Sequence, residues 1–248
     1  MKAPTVTQAA DNTYLVGGTH VNWIVLTEGD AVTLIDGGYP GDLGAVEESL
    51  RGLGYRLEQI TAVLVTHAHV DHVGSLPELV RRSKAPVYLS EREARHARGD
   101  YVESATIKDV AVRLWRPGFL GWTLDIMKAG ATEHEHLSEA KPFPGEGALD
   151  LPGRPVPVAT PGHTSGHSCY HLPGVGAMVT GDTLVTAHPT ARRPGPQLLM
   201  PFFSHDQAAT VRALDTLQEF DADIILPGHG PVYRGPLRDA CAVARDRA

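Results

Sequence analysis

Apolar and β-branched residues fall into short runs in the first third of the chain: Asn12–Val16, Val21–Thr27 and Ala31–Ile35. Gly17-Gly18, Glu28-Gly29-Asp30 and Gly37-Gly38 punctuate them, the pattern of a meander of short strands. Leu43, Val46, Leu50 and Leu53 then recur at helical spacing, and Gly52 and Gly54 end that helix. Ile60–Val65 (ITAVLV) is almost unbroken apolar sequence, as expected of a strand covered on both faces. Gly74–Ser83 predicts a short helix and Pro86–Leu89 another strand. From about 91 to 148 the rhythm breaks, and we read this stretch as an insertion with helical content. Strands resume at Val156–Thr160, Ser168–His171 and Ala177–Thr180. A helix over Asp206–Phe220 and a strand at Asp223–Leu226 follow. Two strand-rich halves, each finishing in helix and strand, suggest an α/β fold, a four-layer αββα sandwich, with 1–248 as a single domain.

A chain of 248 residues with 42% hydrophobic residues has ample material for a core, so disorder is excluded. The formal net charge of −7 argues against binding a nucleic-acid backbone, which needs a basic face. No long apolar run predicts a membrane span, and the N-terminal residues lack the apolar core of a signal peptide, so a cytoplasmic location is expected. Two cysteines, Cys169 and Cys241, exclude a disulfide framework. Histidine is the anomaly: 13 residues of the commonest metal-ligating type.

Four potential ligands, His67, His69, Asp71 and His72, follow directly on ITAVLV. His67 and His69, two apart in an extended turn, can hold one ion, while Asp71 and His72 can aim at a second. Imidazoles and carboxylates without thiolates suit zinc, manganese or iron rather than a closed structural zinc site. The remaining ligands should lie at later strand ends, where His163, Asp182 and His229 each occupy a Gly-containing turn. Taken singly, each also reads as an ordinary turn residue. Together each fills a vacancy the others leave.

On these residues the chain resembles the metallo-β-lactamase-fold superfamily, whose signature is His-x-His-x-Asp-His after a strand, then His, Asp and His in that order. The segment LIDGG with Asp36 matches a further landmark. The resemblance implies the αββα fold with a site between two sheets. It implies two divalent metal ions, zinc first and manganese or iron as alternatives. His67, His69 and His163 would hold one ion, Asp71, His72 and His229 the other, with Asp182 shared. Asp36 would support the ligands from behind, or serve only as a turn Asp before Gly-Gly. A water between the ions would ionise near neutral pH and attack a carbonyl or phosphoryl centre, with Asp71 passing a proton to the leaving group. Asp71 and Asp182 are thus the candidate catalytic residues.

Departures from subfamilies narrow the expectation. β-Lactamase branches carry Cys or Ser where Asp182 stands. Quorum-quenching lactonases place a Tyr where this chain has Val185. Glyoxalase II adds a helical domain for which the residues after His229 leave no room, and tail-processing ribonucleases add a basic arm not found here. The expected function is hydrolysis of a carbonyl ester-type bond (thioester, lactone or activated ester) in a small-molecule substrate. The rivals are a mononuclear iron sulfur dioxygenase, a phosphodiesterase, a weak lactamase, or a non-catalytic relic. Trp115, Phe119, Leu120 and Trp122 of the insertion either wall the substrate pocket or pack the insertion onto the body, and His188 is a further candidate for the pocket. His134-Glu135-His136 reads as a solvated polar stretch, and His167 and His171 as supporting or strand-surface residues. Monomer and homodimer are equally compatible with the sequence.

Overall fold

The computed structural model describes residues 3–133 and 135–248; His134 of the polar stretch noted above lies outside them. Four strands, β1 (Thr5–Ala10), β2 (Thr13–Gly17), β3 (Asn22–Glu28) and β4 (Ala31–Ile35), form an antiparallel meander. After helix α1 (Leu43–Gly52), strand β5 (Ile60–Leu64) adds to β4 in parallel. The short α2 (Val70–Val73) and α3 (Leu76–Ser83) lead to β6 (Val87–Leu89), again parallel. Helices α4 (Glu91–Ala97), α5 (Ile107–Ala111) and α6 (Phe119–Lys128) precede β7 (Ala140–Pro142), which completes the seven-stranded sheet beside β6. The second sheet has five strands and begins with β8 (Val156–Ala159), β9 (Ser168–Leu172) and β10 (Ala177–Gly181), to which the last two strands of the chain add. Helix α7 (Gln207–Leu217), β11 (Ile224–Pro227), β12 (Tyr233–Arg234) and α8 (Leu237–Asp246) finish the chain.

Alternation along the strands builds the layers. In β3, Ile24 and Leu26 face the second sheet, where they meet Tyr170, Leu172, Val179 and Leu226. Trp23 and Val25 point the other way, into a cluster with Val46 and Leu50 of α1 and Leu76, Leu79 and Val80 of α3. The outer face of the second sheet (Cys169, Met178, Ile225) packs on Leu214 and Leu217 of α7 and on Leu237, Ala240, Cys241 and Ala244 of α8. Both sheets are therefore apolar on both faces, and the αββα sandwich follows.

Three elements depart from the sequence reading. Strand β1 was not anticipated: four of its six residues are exposed, so it carries little apolar signal. Helix α8 has a stripe of small residues, Ala240, Cys241 and Ala244, too short in side chain to stand out. The segment 91–148 holds α4, α5, α6 and β7, and β7 pairs with β6 at the edge of the first sheet. No helix among the described residues is long and apolar enough to cross a membrane.

Candidate metal centre

The seven candidate ligands leave the ends of strands β5, β8, β10 and β11 that point toward one edge of the sandwich. His67 and His69 lie in the loop after β5, and Asp71 and His72 in α2. His163 follows β8, Asp182 follows β10 and His229 follows β11. Burial is nearly complete at His67, His72, His163, Asp182 and His229.

His67 Nε2, His69 Nδ1 and His163 Nε2 lie 3.0–3.1 Å from one another. Three nitrogen lone pairs at that spacing repel unless a cation sits among them. The spacing is close to the edge of a tetrahedron, roughly 3.3 Å, around an ion with Zn–N bonds of about 2.0–2.1 Å. Asp71, His72 and His229 form a second group of three, and His67, His72 and Asp182 a third between them. Asp182 faces both sides: Oδ2 lies 3.4 Å from His163 Nε2 and 3.1 Å from His229 Nε2, and Oδ1 lies 3.4 Å from His72 Nε2. A side chain at Gly228 would run into Asp182 Oδ1 and the His72 ring, so glycine is needed to let the β11 loop this close.

The outward-facing nitrogens of four imidazoles are each bonded to an acceptor, which leaves the inward nitrogen as a lone pair. His72 Nδ1–H donates to Asp36 Oδ2 at 2.9 Å, and His229 Nδ1–H donates to the carbonyl of His20 at 2.6 Å. His67 Nδ1–H donates to Thr66 Oγ1, whose own hydroxyl donates to Asp36 Oδ2. His69 Nε2–H donates to the carbonyl of Glu103. Asp36 and His20 both hold positive φ, +64° and +62°, conformations that non-glycine residues seldom adopt. Asp36 thus bonds directly to His72 and to Thr66 from this turn.

The electrostatics suit a cation. Burial and the surrounding imidazoles hold His67 well below the usual histidine range. Burial also lowers His163 and His69, against the pull of nearby carboxylates. His72 and His229 go the other way: burial opposes their charge, but Asp182 and Asp71 outweigh it, with Asp36 adding at His72. Burial works to raise the Asp182 carboxyl, yet His229 and His72 hold it well below the normal value. His72 Nε2 and Asp182 Oδ1 are buried without a hydrogen-bond partner among the described residues, as vacant ligand atoms would be. The donor set fits divalent metal ions, with His67, His69 and His163 on one side, Asp71, His72 and His229 on the other, and Asp182 between.

The sequence reading missed Glu93. Ser90 and Glu93 have the spacing of a helix capping box, and Ser90 does accept the Glu93 N–H. The Glu93 carboxylate, however, is buried and accepts from Ala68 N–H, Thr164 Oγ1 and His96 Nδ1, each at 2.8 Å. It therefore ties the His67–His69 loop to the His163 loop. His96 Nε2 in turn accepts the N–H of Glu103, the residue whose carbonyl holds His69. His167 takes the first of its two readings: its Nε2 accepts the Asp182 N–H at 3.1 Å and its Nδ1 meets Thr160 Oγ1 at 2.9 Å. His171 is half-buried and lies 3.2 Å from the carbonyl of Asp221.

A cavity of about 270 Å³ opens above the centre, lined by Tyr39, Asp71, His163, Asp182, His229 and side chains of α5 and α6. Trp122 and His188 line it, their rings 5.4 Å apart. Trp115 and Phe119 do not. Trp115 is 82% exposed, its indole N–H capping the carbonyl of Val112, and Leu120 is exposed as well. Phe119 is 0% exposed and packs with Val21, Tyr39, Trp122 and Ile126, fastening α6 to the body. Of the three aromatic residues only Trp122 faces the cavity, because Phe119, one turn earlier in α6, turns toward the body and Trp115 precedes the helix.

The family model of the metallo-beta-lactamase superfamily matches residues 16–229. The probable metallo-hydrolase YflN of Bacillus subtilis is 26% identical over 219 residues, covering 82% of this chain and 77% of that protein. The hydroxyacylglutathione hydrolase of Dechloromonas aromatica is 30% identical over 167 residues, covering 66% of this chain and 44% of that protein. Among solved structures, Rm3 metallo-beta-lactamase superposes with a TM-score of 0.69 at 22% identity, over 99% of this chain and 92% of that one, a likeness of fold. With the sandwich and the clustered histidines and aspartates, these matches show that the chain belongs to the metallo-beta-lactamase superfamily, as a metallo-hydrolase.

Proposed function

We propose that the protein hydrolyses a carbonyl ester-type bond, a thioester, lactone or activated ester, in a small-molecule substrate, using two divalent metal ions, zinc first among them. The observation that supports this reading is that Asp182 lies between two groups of ligand atoms, an arrangement suited to two cations. When bound, such a metal pair supplies an ionised water near neutral pH and polarises the carbonyl of the scissile bond.

The chain's own residues do the rest. Asp36, Thr66, the His20 carbonyl and the Glu103 carbonyl hold four imidazoles in the tautomer that keeps a lone pair inward. Asp71 is half-buried at the floor of the cavity, where its carboxylate can take a proton and pass it to the departing oxygen or sulfur. The apolar walls of α5 and α6 exclude bulk water from the substrate. Hydroxyacylglutathione hydrolases among the relatives favour a thioester within this class.

The test is metal counting coupled to turnover. Protein stripped with chelator and reloaded should take up two zinc or manganese ions per chain and hydrolyse a panel of thioesters, lactones and aryl esters. Asp182→Ala should lose turnover and lower the metal content. A protein that holds a single iron, consumes oxygen and leaves every ester intact would overturn the proposal in favour of the dioxygenase.

A further inference from the structure

His188 lines the cavity above the candidate metal centre, six residues beyond Asp182 in the loop after β10. It belongs to neither group of ligand atoms. Its imidazole is wedged among three rings: Trp122 and Phe203, each with its centroid 5.4 Å away, and His229 at 5.1 Å. All three neighbours line the cavity, which places the imidazole on that side, although Val21, Ala187 and Pro189 border a more open hollow behind it. Packed in this way, the ring is fixed before a substrate arrives.

One contact sets the tautomer. The Thr190 N–H donates to His188 Nδ1 at 3.3 Å, and the Thr190 hydroxyl lies 2.7 Å from the same nitrogen. A backbone N–H can only donate, so Nδ1 is the acceptor and the ring proton sits on Nε2. Nε2 has no hydrogen-bond partner among the described residues, and it is not sealed from solvent as the unpartnered Nε2 of His72 is. An N–H donor is thus left open on the cavity wall. Burial and the neighbouring His229 push the His188 pKa down to about 3, against the pull of Asp182. A cation at the centre would act in the same direction, so the ring is neutral at physiological pH.

The chemistry of a neutral imidazole N–H limits what it can do. It holds its proton too firmly to protonate a leaving group, a task open to Asp71, and that nitrogen has no lone pair with which to act as a base. It can donate a hydrogen bond to an oxygen on which negative charge develops. The geometry points to His188 as a catalytic residue whose Nε2–H donates to the carbonyl oxygen of the bond being cut. As water adds to the carbonyl carbon, the C=O π pair moves onto that oxygen and the hydrogen bond strengthens. When the pair returns, the bond to the leaving group breaks, and the imidazole keeps its proton throughout. This role rests on the hydrolase reading above, whereas the tautomer does not.

Ring-nitrogen NMR of isotope-labelled histidine reads the tautomer without turnover. In metal-free and zinc-loaded protein alike, the resonance lost in His188→Gln should be that of a neutral, Nε2-protonated ring from about pH 6 to about pH 8. Kinetics on the zinc-loaded protein give the second arm, with an aryl ester or thioester that wild type hydrolyses. His188→Phe keeps a ring between Trp122 and Phe203 but loses the N–H. It should retain the wild-type metal content and lower kcat about 100-fold, with KM within about threefold of wild type. His188→Gln restores an uncharged N–H and should recover about tenfold of that loss. An Nδ1-protonated or cationic ring, a His188→Phe enzyme as fast as wild type, or a glutamine variant as slow as the phenylalanine one would overturn the assignment. If His188→Phe does not fold, His188→Leu takes its place, and the NMR arm is unaffected. Wild type that cleaves no ester would refute the hydrolase reading and with it the role at the carbonyl. Wild type that cleaves esters beside an unimpaired His188→Phe would refute the role alone.

Discussion

Asp36 Oδ2 sits 2.9 Å from Nδ1 of His72, and this contact joins the end of β4 to the candidate metal centre. The same carboxylate accepts the N–H and the hydroxyl of Thr66, both at 2.8 Å, so one buried group orients the whole start of the ligand loop. Its φ of +64° is the strain that the arrangement tolerates. Asp36→Asn keeps the shape and suits positive φ, but removes the negative charge facing His72. We expect a folded protein whose affinity for the metal beside His72 falls about 10–100-fold. Titration of stripped protein with zinc measures it, and unchanged affinity would show that Asp36 serves only the turn.

Glu93 receives three donors and none of its own bonds can be reversed without loss. Burial works to raise its carboxyl, yet His96, Ala68 and Thr164 hold it below the ordinary glutamate value. Glu93→Gln turns an amide NH₂ toward at least one of those donors, a cost of about 1–3 kcal/mol. Thermal unfolding should shift down by about 2–12 °C, with weaker metal binding beside His69 and His163. The charge contribution of Glu93 is present above its unfolded pKa and fades as the pH falls through the lower folded value. Wild type and variant should accordingly converge in acid.

His167 supplies a second pH dependence, of opposite origin. Burial, against the pull of Asp182 and Glu93, lowers its pKa to about 4. The unfolded chain takes up a proton near pH 6.5 while the native ring stays neutral, so stability falls as pH drops from about 6.5 toward 4. The loss between pH 7 and pH 5 is roughly 2 kcal/mol from this residue alone. Urea denaturation at the two pH values, compared with His167→Gln, isolates it; equal slopes in both proteins would mean that His167 is not held neutral.

The two aromatic residues placed outside the cavity separate packing from display. Phe119→Ala should cost about 3–5 kcal/mol, because its ring is buried against Tyr39, Trp122 and Ile126. Trp115→Ser should stay within about 0.5 kcal/mol of wild type. Chemical denaturation distinguishes them, and comparable losses would contradict the observed orientation of this segment.

The seven candidate ligands stand out in the sequence because each lies in the loop, or for Asp71 and His72 the short helix, that follows an apolar strand, and that grammar survives without knowledge of the packing. Strands β2 to β6 and β8 to β11, with helices α1, α3 and α7, were legible from periodicity and apolar runs, whereas the edge strands β1, β7 and β12 were not. What escaped was tertiary. Glu93 has the local signature of a helix cap, and nothing in its neighbours reveals that the carboxylate turns toward two distant loops. His20 and Glu103 act through backbone carbonyls, which every residue possesses, so their side chains carry no signal. Aromatic identity at 115, 119 and 122 marked the segment but not which ring would face the cavity.

Helix α4 has a practical consequence for redesign. Since its Glu93 and the Glu103 carbonyl just beyond it grip the loops of His67, His69 and His163, a chimera that swaps selectivity segments between relatives must place its upstream junction after residue 104. Cutting at 91 would transplant a new cavity wall while discarding the clasp that keeps these loops in register.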